Sequence, residues 1–269
     1  MRRAGVTPDR ESGWFPVALS EVIWIALLGT VSGLMIGCIG IGGVILVPAL
    51  VFLVGIPIQT AIPAAMLAYI VSGIVATFVY ARNKSIAWPM ATWLCIGGAP
   101  AAFAGAWAVS IFDSRLLAGC LGLLTFLSGI NSLRRQNIAD ADADAKVSNA
   151  VLLIIGLVTG FLSSLTGTGG PLVLVPILIS MRLAILTSVG LSQVFQLPVA
   201  LAATAGNIIY GKLDVVLGAI LAVSLSGGSW YGAKLAHSVP RMILRGIVST
   251  ALVLIGAFIL GNVGWHLMK

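Results

Sequence analysis

The sequence predicts an all-α polytopic integral membrane protein made of two homologous, inverted repeats of about 127 residues. Roughly eight to ten transmembrane or half-membrane helices are expected from the length of its apolar stretches. Three observations carry this reading: charge is scarce, the uncharged stretches are very long, and an ordered set of glycines recurs between the halves. Only 9% of the 269 residues are charged and 59% are hydrophobic. A typical soluble domain has about 25% charged residues. Fifteen basic and eight acidic side chains could not cover a water-soluble surface of this size.

The uncharged stretches are 22–81, 85–112, 116–133, 147–181, 183–211, 215–233 and 246–268. A bilayer span needs about 20 such residues, and the first stretch alone has 60. Only helices fit them, because backbone groups in lipid must be satisfied within the segment. The short alternating segments of a transmembrane barrel are missing from the pattern. Residues 1–16 read as a polar tail without a cleavable secretory signal, since 7–13 is polar and no small-x-small site ends a short apolar core. The first repeat is expected over 17–133, a polar connector over 134–147, and the second repeat over 148–263. The connector carries Asp140, Asp142 and Asp144 between Arg134-Arg135 and Lys146.

The repeat is read from residues in register. Gly33 recurs as Gly160, Gly40 as Gly167, and Gly42-Gly43 as Gly169-Gly170, each 127 positions later. After one inserted residue Leu46-Val47-Pro48 matches Leu174-Val175-Pro176. The first register then returns with Thr60 and Thr187, Ala76-Thr77 and Ala203-Thr204, Gly105-Ala106 and Gly232-Ala233, and Gly129 and Gly256. Duplications of this kind put a transporter's substrate site where the repeats meet. Each Gly-x-Gly-Gly block is expected to break a helix, since glycine lowers helix propensity by about 1 kcal/mol. The 11 residues from Pro171 to Met181 then reach only roughly 16 Å, half the hydrocarbon thickness. If the longer and the shorter segment form a hairpin, the repeats are inverted; if they make one broken crossing, the repeats are parallel. The inverted form brings both glycine turns to one centre.

The candidate substrate-binding residues follow. A glycine turn that opens a helix exposes unpaired N–H groups at the positive end of the helix dipole, which suits an anion. The second block adds hydroxyls, so Thr166, Gly167, Thr168, Gly169 and Gly170 are the stronger set, and Gly40, Gly42 and Gly43 are the matching set of the first. Close helix packing is the competing role for such small residues. Gln193 and Gln196 share a helical face, and Asn207 falls near it; Gln193 and Asn207 are expected to position the anion, with an interhelical clamp as the alternative. The matching first-half positions of Gln193 and Gln196 are Met66 and Tyr69, so any site is asymmetric.

Several chemistries are not expected. Cys38, Cys95 and Cys120 are too widely spaced for a disulfide framework, and His237 and His266 cannot form a metal cluster. Neither a catalytic triad nor a cofactor fingerprint is present, so no enzyme activity and no cofactor are expected. No run of Lys or Arg exceeds two residues, which argues against a nucleic-acid partner. The excess of base (+7) reads as cytoplasmic loop charge. Arg82 and Lys84 read as orientation signals, and Lys234, which replaces Trp107 of the first half, as a side chain snorkelling from a helix end.

The run Gly33-Leu34-Met35-Ile36-Gly37-Cys38-Ile39-Gly40-Ile41-Gly42-Gly43-Val44-Ile45-Leu46-Val47-Pro48 and the run Gly160-Phe161-Leu162-Ser163-Ser164-Leu165-Thr166-Gly167-Thr168-Gly169-Gly170 resemble the TauE/SafE family, the sulfite-exporter or toluene-sulfonate-uptake-permease type. The resemblance implies a multi-pass protein of the cell inner membrane that moves a small sulfur-containing anion such as sulfite, a sulfonate, sulfoacetate or thiosulfate. Its implied partners are that anion and the lipid bilayer, with room for a homo-oligomer. Family members often carry a histidine near the end of the third segment, where this chain has Tyr80. A passive anion channel and a non-transporting scaffold subunit are the alternative functions.

Overall fold

The computed structural model describes residues 19–40, 42–134, 147–236, 250, 253, 254 and 256–261. The expected tail, most of the connector, Ile41, His237 and His266 lie outside the described residues. Among the described residues all regular structure is helical. The named helices are α1 (Leu19–Ile39), α2 (Gly43–Phe52), α3 (Ile58–Arg82), α4 (Trp88–Ile111), α5 (Ser114–Arg134), α6 (Asn149–Thr166), α7 (Pro171–Ser180), α8 (Ile185–Tyr210) and α9 (Val215–Leu235).

Local chemistry sets the boundaries. Pro57 precedes α3, and Pro89 lies in the first turn of α4, where a missing N–H is harmless. Asp214 caps α9, its carboxylate accepting from the Leu217 N–H at 3.0 Å. Five helices, α3, α4, α6, α8 and α9, are long and apolar enough to cross a membrane. By contrast α2 and α7 have ten residues each, about 15 Å of rise.

The surface is turned inside out relative to a water-soluble protein. Trp24, Phe78, Trp107, Ile208 and Val223 are exposed, while Ser32, Ser72, Ser163, Gln193, Gln196 and Asn207 are buried. Such an apolar exterior suits lipid as the solvent.

Two sets of three helices form the body. In the first, α1 lies along α9: a side chain at Gly33 would meet the backbone of Leu225, and one at Gly37 the backbone of Ser229 and Ala233. Hydrogen bonds cross this seam from Ser229 Oγ to the Gly33 carbonyl (3.2 Å) and from Cys38 Sγ to the Gly232 carbonyl (3.0 Å). The order of these contacts makes α1 and α9 parallel. Helix α3 runs with them, since Gly218 meets Leu67 near one end and Tyr80 clusters with Ala233 near the other.

The second set is α4, α6 and α8. Gly156 meets the backbone of Leu94, and Gly160 that of Gly98. Phe195 packs on Gly98, and Gly206 on Ala106, so all three run one way. The sets meet where α3 crosses α8, with Gly73 beside Leu197 and Ser85 beside Gly190. As one number rises the other falls, so these helices are antiparallel. Helices α1 and α6, which carry the matched glycines, therefore point in opposite directions, as do α3 and α8.

This packing predicts the effect of adding a side chain. Gly160→Leu would force α4 and α6 apart and is expected to destabilise by about 1–3 kcal/mol. A lower unfolding temperature in detergent would report it. Gly119→Leu, at a site with nothing within 4 Å, should show no such loss.

Candidate functional site

Both glycine blocks break the helix. Helix α1 stops at Ile39, and Gly40 turns at φ +82°, its N–H donating to the Ile36 carbonyl at 2.8 Å. Helix α6 stops at Thr166, and Gly167, Gly169 and Gly170 take φ of +70°, +78° and +108°. The left-handed region costs an L side chain about 1–2 kcal/mol per residue, so glycine is strongly favoured at these positions. The short helices α2 and α7 start from the turns, and no side chain caps either one. Their first N–H groups therefore lack intrahelical acceptors. Pro171, in the first turn of α7, gives up one such donor.

The fold brings the two turns into contact. A side chain at Gly43 would strike the Thr168 carbonyl, and one at Gly40 would stand 3.2 Å from Pro171 and 3.3 Å from Ser192 Oγ. Tyr69 lies between the turns. Its hydroxyl donates to the Gly43 carbonyl at 3.2 Å, and its ring leaves only 2.9 Å for a Cβ at Gly169. Gly167 in turn packs on Val47 and Ile62. Each turn is thus walled by the other half of the chain, and the arrangement is closed.

Polar side chains surround this centre. Gln193 Nε2 donates to the Ile36 carbonyl at 2.9 Å, one turn before Gly40. Gln196 Nε2 donates to the Tyr69 carbonyl at 3.3 Å and to Ser72 Oγ at 3.1 Å. The Oε1 atoms of both glutamines and the hydroxyls of Ser163 and Ser164 are buried with no hydrogen-bond partner. A buried group left in that state costs about 1–3 kcal/mol. Ser163 Oγ lies 3.9 Å from the Cβ position of Gly170, at the start of α7.

The two threonine hydroxyls are hydrogen-bonded within the turn. Thr166 donates its hydroxyl to the Leu162 carbonyl at 2.7 Å, which leaves Thr168 to donate to Thr166 Oγ1 at 3.1 Å. Both protons are consumed inside the turn in this conformation, whereas the Ser163 and Ser164 hydroxyls have no partner. Asn207 also stands apart. It is buried with both side-chain polar atoms unpartnered, but it lies fourteen residues from Gln193 on one helix, about 21 Å along the axis. Tyr69 is the central residue that the candidate set leaves out; its match to Gln196 across the 127-residue shift was the available signal.

Among the described residues every buried polar side chain is uncharged, and no three His, Cys, Asp or Glu side chains come together. What this centre offers chemically is a set of oriented dipoles: two helix starts, hydroxyls and amides. These can stabilise a small anion without a fixed cation.

The chain is similar to known proteins over most of its length. The chain is 28% identical to a probable membrane transporter protein of Methanocaldococcus jannaschii over 252 residues, which cover 88% of this chain and 94% of the relative. It is 29% identical to the probable membrane transporter protein YdhB of Bacillus subtilis, over 83% of this chain and 94% of the relative. With YunE of the same organism, also a probable membrane transporter protein, it shares 25% over 86% and 94%. No solved structure gives a significant match. The profile described as sulfite exporter TauE/SafE matches residues 25–259, from the first long helix past the last glycine of the repeat pattern. This multi-pass membrane protein, with its paired glycine turns, belongs to the sulfite exporter TauE/SafE family of membrane transporters.

Proposed function

We propose that the protein is a secondary transporter that exports a small sulfur-containing anion, such as sulfite, a sulfonate, sulfoacetate or thiosulfate, across the cell inner membrane. The observation that carries the reading is the meeting of two uncapped helix starts, α2 and α7, at positive-φ glycine turns in the middle of the bundle. Each start carries roughly half an elementary charge, so the pair offsets about one unit of negative charge. An isolated anion in hydrocarbon would otherwise face a penalty of tens of kcal/mol.

The matched blocks and opposed helix directions support an inverted duplication, the arrangement that places a transporter's site near the midplane. In this reading the α1–α3–α9 set rocks against the α4–α6–α8 set, and the turns part to admit the anion. Among the described residues Arg82, Lys84, Arg134, Arg182 and Lys234 lie at one end of the bundle, and Arg115 and Lys212 at the other. The richer end is assigned to the cytoplasm by the positive-inside rule.

Three outcomes are expected. Gly169→Leu and Gly42→Leu should each lower sulfite efflux from proteoliposomes at least about tenfold while the protein still inserts, because positive φ at Gly169 and tight backbone at Gly42 leave no room. Wild-type rates in both would take the turns off the pathway. Gln193→Leu should raise the apparent KM more than it lowers detergent stability, since the Ile36 carbonyl it holds adjoins the turn. Unchanged transport with a large stability loss would make it a clamp.

The third outcome concerns driving force. No charge lies buried among the described residues, so the anion's own charge should cross uncompensated. An inside-negative potential then favours efflux by about 2.3 kcal/mol per charge per 100 mV. Efflux under valinomycin-clamped potentials at equal pH measures this. A rate independent of potential but steep in the pH gradient, for an anion that does not titrate, would overturn it.

A further inference from the structure

We propose that a recess between the C-terminal ends of α3 and α9 is an oxyanion-binding vestibule, which loads the transport path from the cation-rich side. The recess has a volume of about 390 Å³ and is lined by Phe78, Val79, Arg82, Asn83, Trp230 and Lys234. It falls within the range of about 300–1,000 Å³ common for small-molecule pockets. Both cations are held by aromatic rings: Lys234 Nζ stands 3.5 Å from the centre of Trp230, and the Arg82 guanidinium 5.5 Å from the centre of Phe78. Glu21, Asp113 and Asp214 are the acidic residues among those described, and all three lie at the opposite end of the bundle. The two cations therefore raise a positive potential in the recess that no described carboxylate neutralises.

The molecule supplies its own comparison. Shifted by 127 positions, Arg82, Asn83, Trp230 and Lys234 become Ile209, Tyr210, Phe103 and Trp107 at the other end. There Phe103 and Tyr210 pack edge to face, with centroids 6.0 Å apart. Packing at this place in the fold is thus satisfied without charge at the four matched positions. The recess also adjoins the path. Val79 and Tyr80 cluster with Ala233, and the Tyr80 hydroxyl donates to the Gly37 carbonyl at 3.0 Å, three residues before Gly40. Val79 lines the recess and belongs to this cluster, and so joins the recess to the contact with α1.

The ligand class is an oxyanion head group, sulfonate or phosphate, with the guanidinium as a two-pronged donor and the ammonium as a point charge. Its source is either a soluble anion or an anionic lipid head group, and the experiment separates them. The role in transport rests on the export reading, whereas binding is measured apart from it. Full-length wild type, Arg82→Gln/Lys234→Gln and the control Lys84→Gln are purified in neutral detergent. Their thermal unfolding is followed against methanesulfonate and against short-chain phosphatidylglycerol at low salt. The same proteins are tested for radiolabelled sulfite efflux from phosphatidylcholine vesicles.

The vestibule predicts that methanesulfonate stabilises wild type and Lys84→Gln but not the double variant. It also predicts that the KM for sulfite rises about three- to tenfold in the double variant with maximal rate retained, and that its salt dependence flattens. Stabilisation by phosphatidylglycerol alone, lost in the double variant with KM unchanged, would keep the oxyanion site and assign it to lipid, removing the loading role. Equal responses of all three proteins to both probes would overturn the site. Should sulfite not be carried at all, the export reading fails, and the unfolding arm still decides whether the recess binds an oxyanion.

Discussion

Backbone touching backbone, with no side chain between, is the contact on which the rest of this structure depends. Gly33 on Leu225 and Gly160 on Gly98 let the long helices approach closely enough for Ser229 and Cys38 to donate to carbonyls across the seam. Lipid provides no hydrophobic drive for helices to associate, so close packing and these hydrogen bonds must hold the bundle. The short helices α2 and α7 survive at half the membrane thickness only because the two sets enclose their ends. The turns in turn have room only because Gly40, Gly43 and Gly169 carry no side chain. Small residues thus serve assembly and the centre at once.

The two halves resemble each other in packing and differ in chemistry. Tyr69 bridges the turns where the other half has Gln196, which donates to the Tyr69 carbonyl itself. Tyr80 reaches the Gly37 carbonyl where the other half has Asn207, shorter and with its amide unpartnered. At these two pairs of positions the unpartnered side-chain atoms, Gln196 Oε1 and the Asn207 amide, belong to the second half.

Much of the fold is legible in the sequence because the bilayer imposes simple rules. Charge-free length marks the spans, Gly-x-Gly-Gly beside Pro171 marks a break, and the register of Gly33 with Gly160 points to a duplicated plan. The site was legible in kind more than in detail. Periodicity puts Gln193, Gln196 and Asn207 on one face, and their spacing along α8 sets Asn207 about 21 Å from Gln193. Hydroxyl content singles out Thr166 and Thr168, yet only the folded chain shows that the Leu162 carbonyl accepts from Thr166 while Ser163 has no partner. Arg82 and Lys234 each read as an ordinary helix-end cation, since nothing in one sequence says that the ends of α3 and α9 are neighbours.

The exchange of partners between halves has a consequence for how the chain is made. Helix α1 packs on α9, and the residue that Gly33 meets, Leu225, is synthesised 192 residues later. At about 5–20 residues per second, that interval is roughly 10–40 s. Throughout it the glycine face of α1 has no mate and must rest against lipid or the insertion machinery. The α4–α6 seam, by contrast, closes once residue 166 has emerged. Closure is therefore ordered with the α4–α6 seam before the α1–α9 seam, and α1, made before the other named helices, is among the last of them to be locked in place.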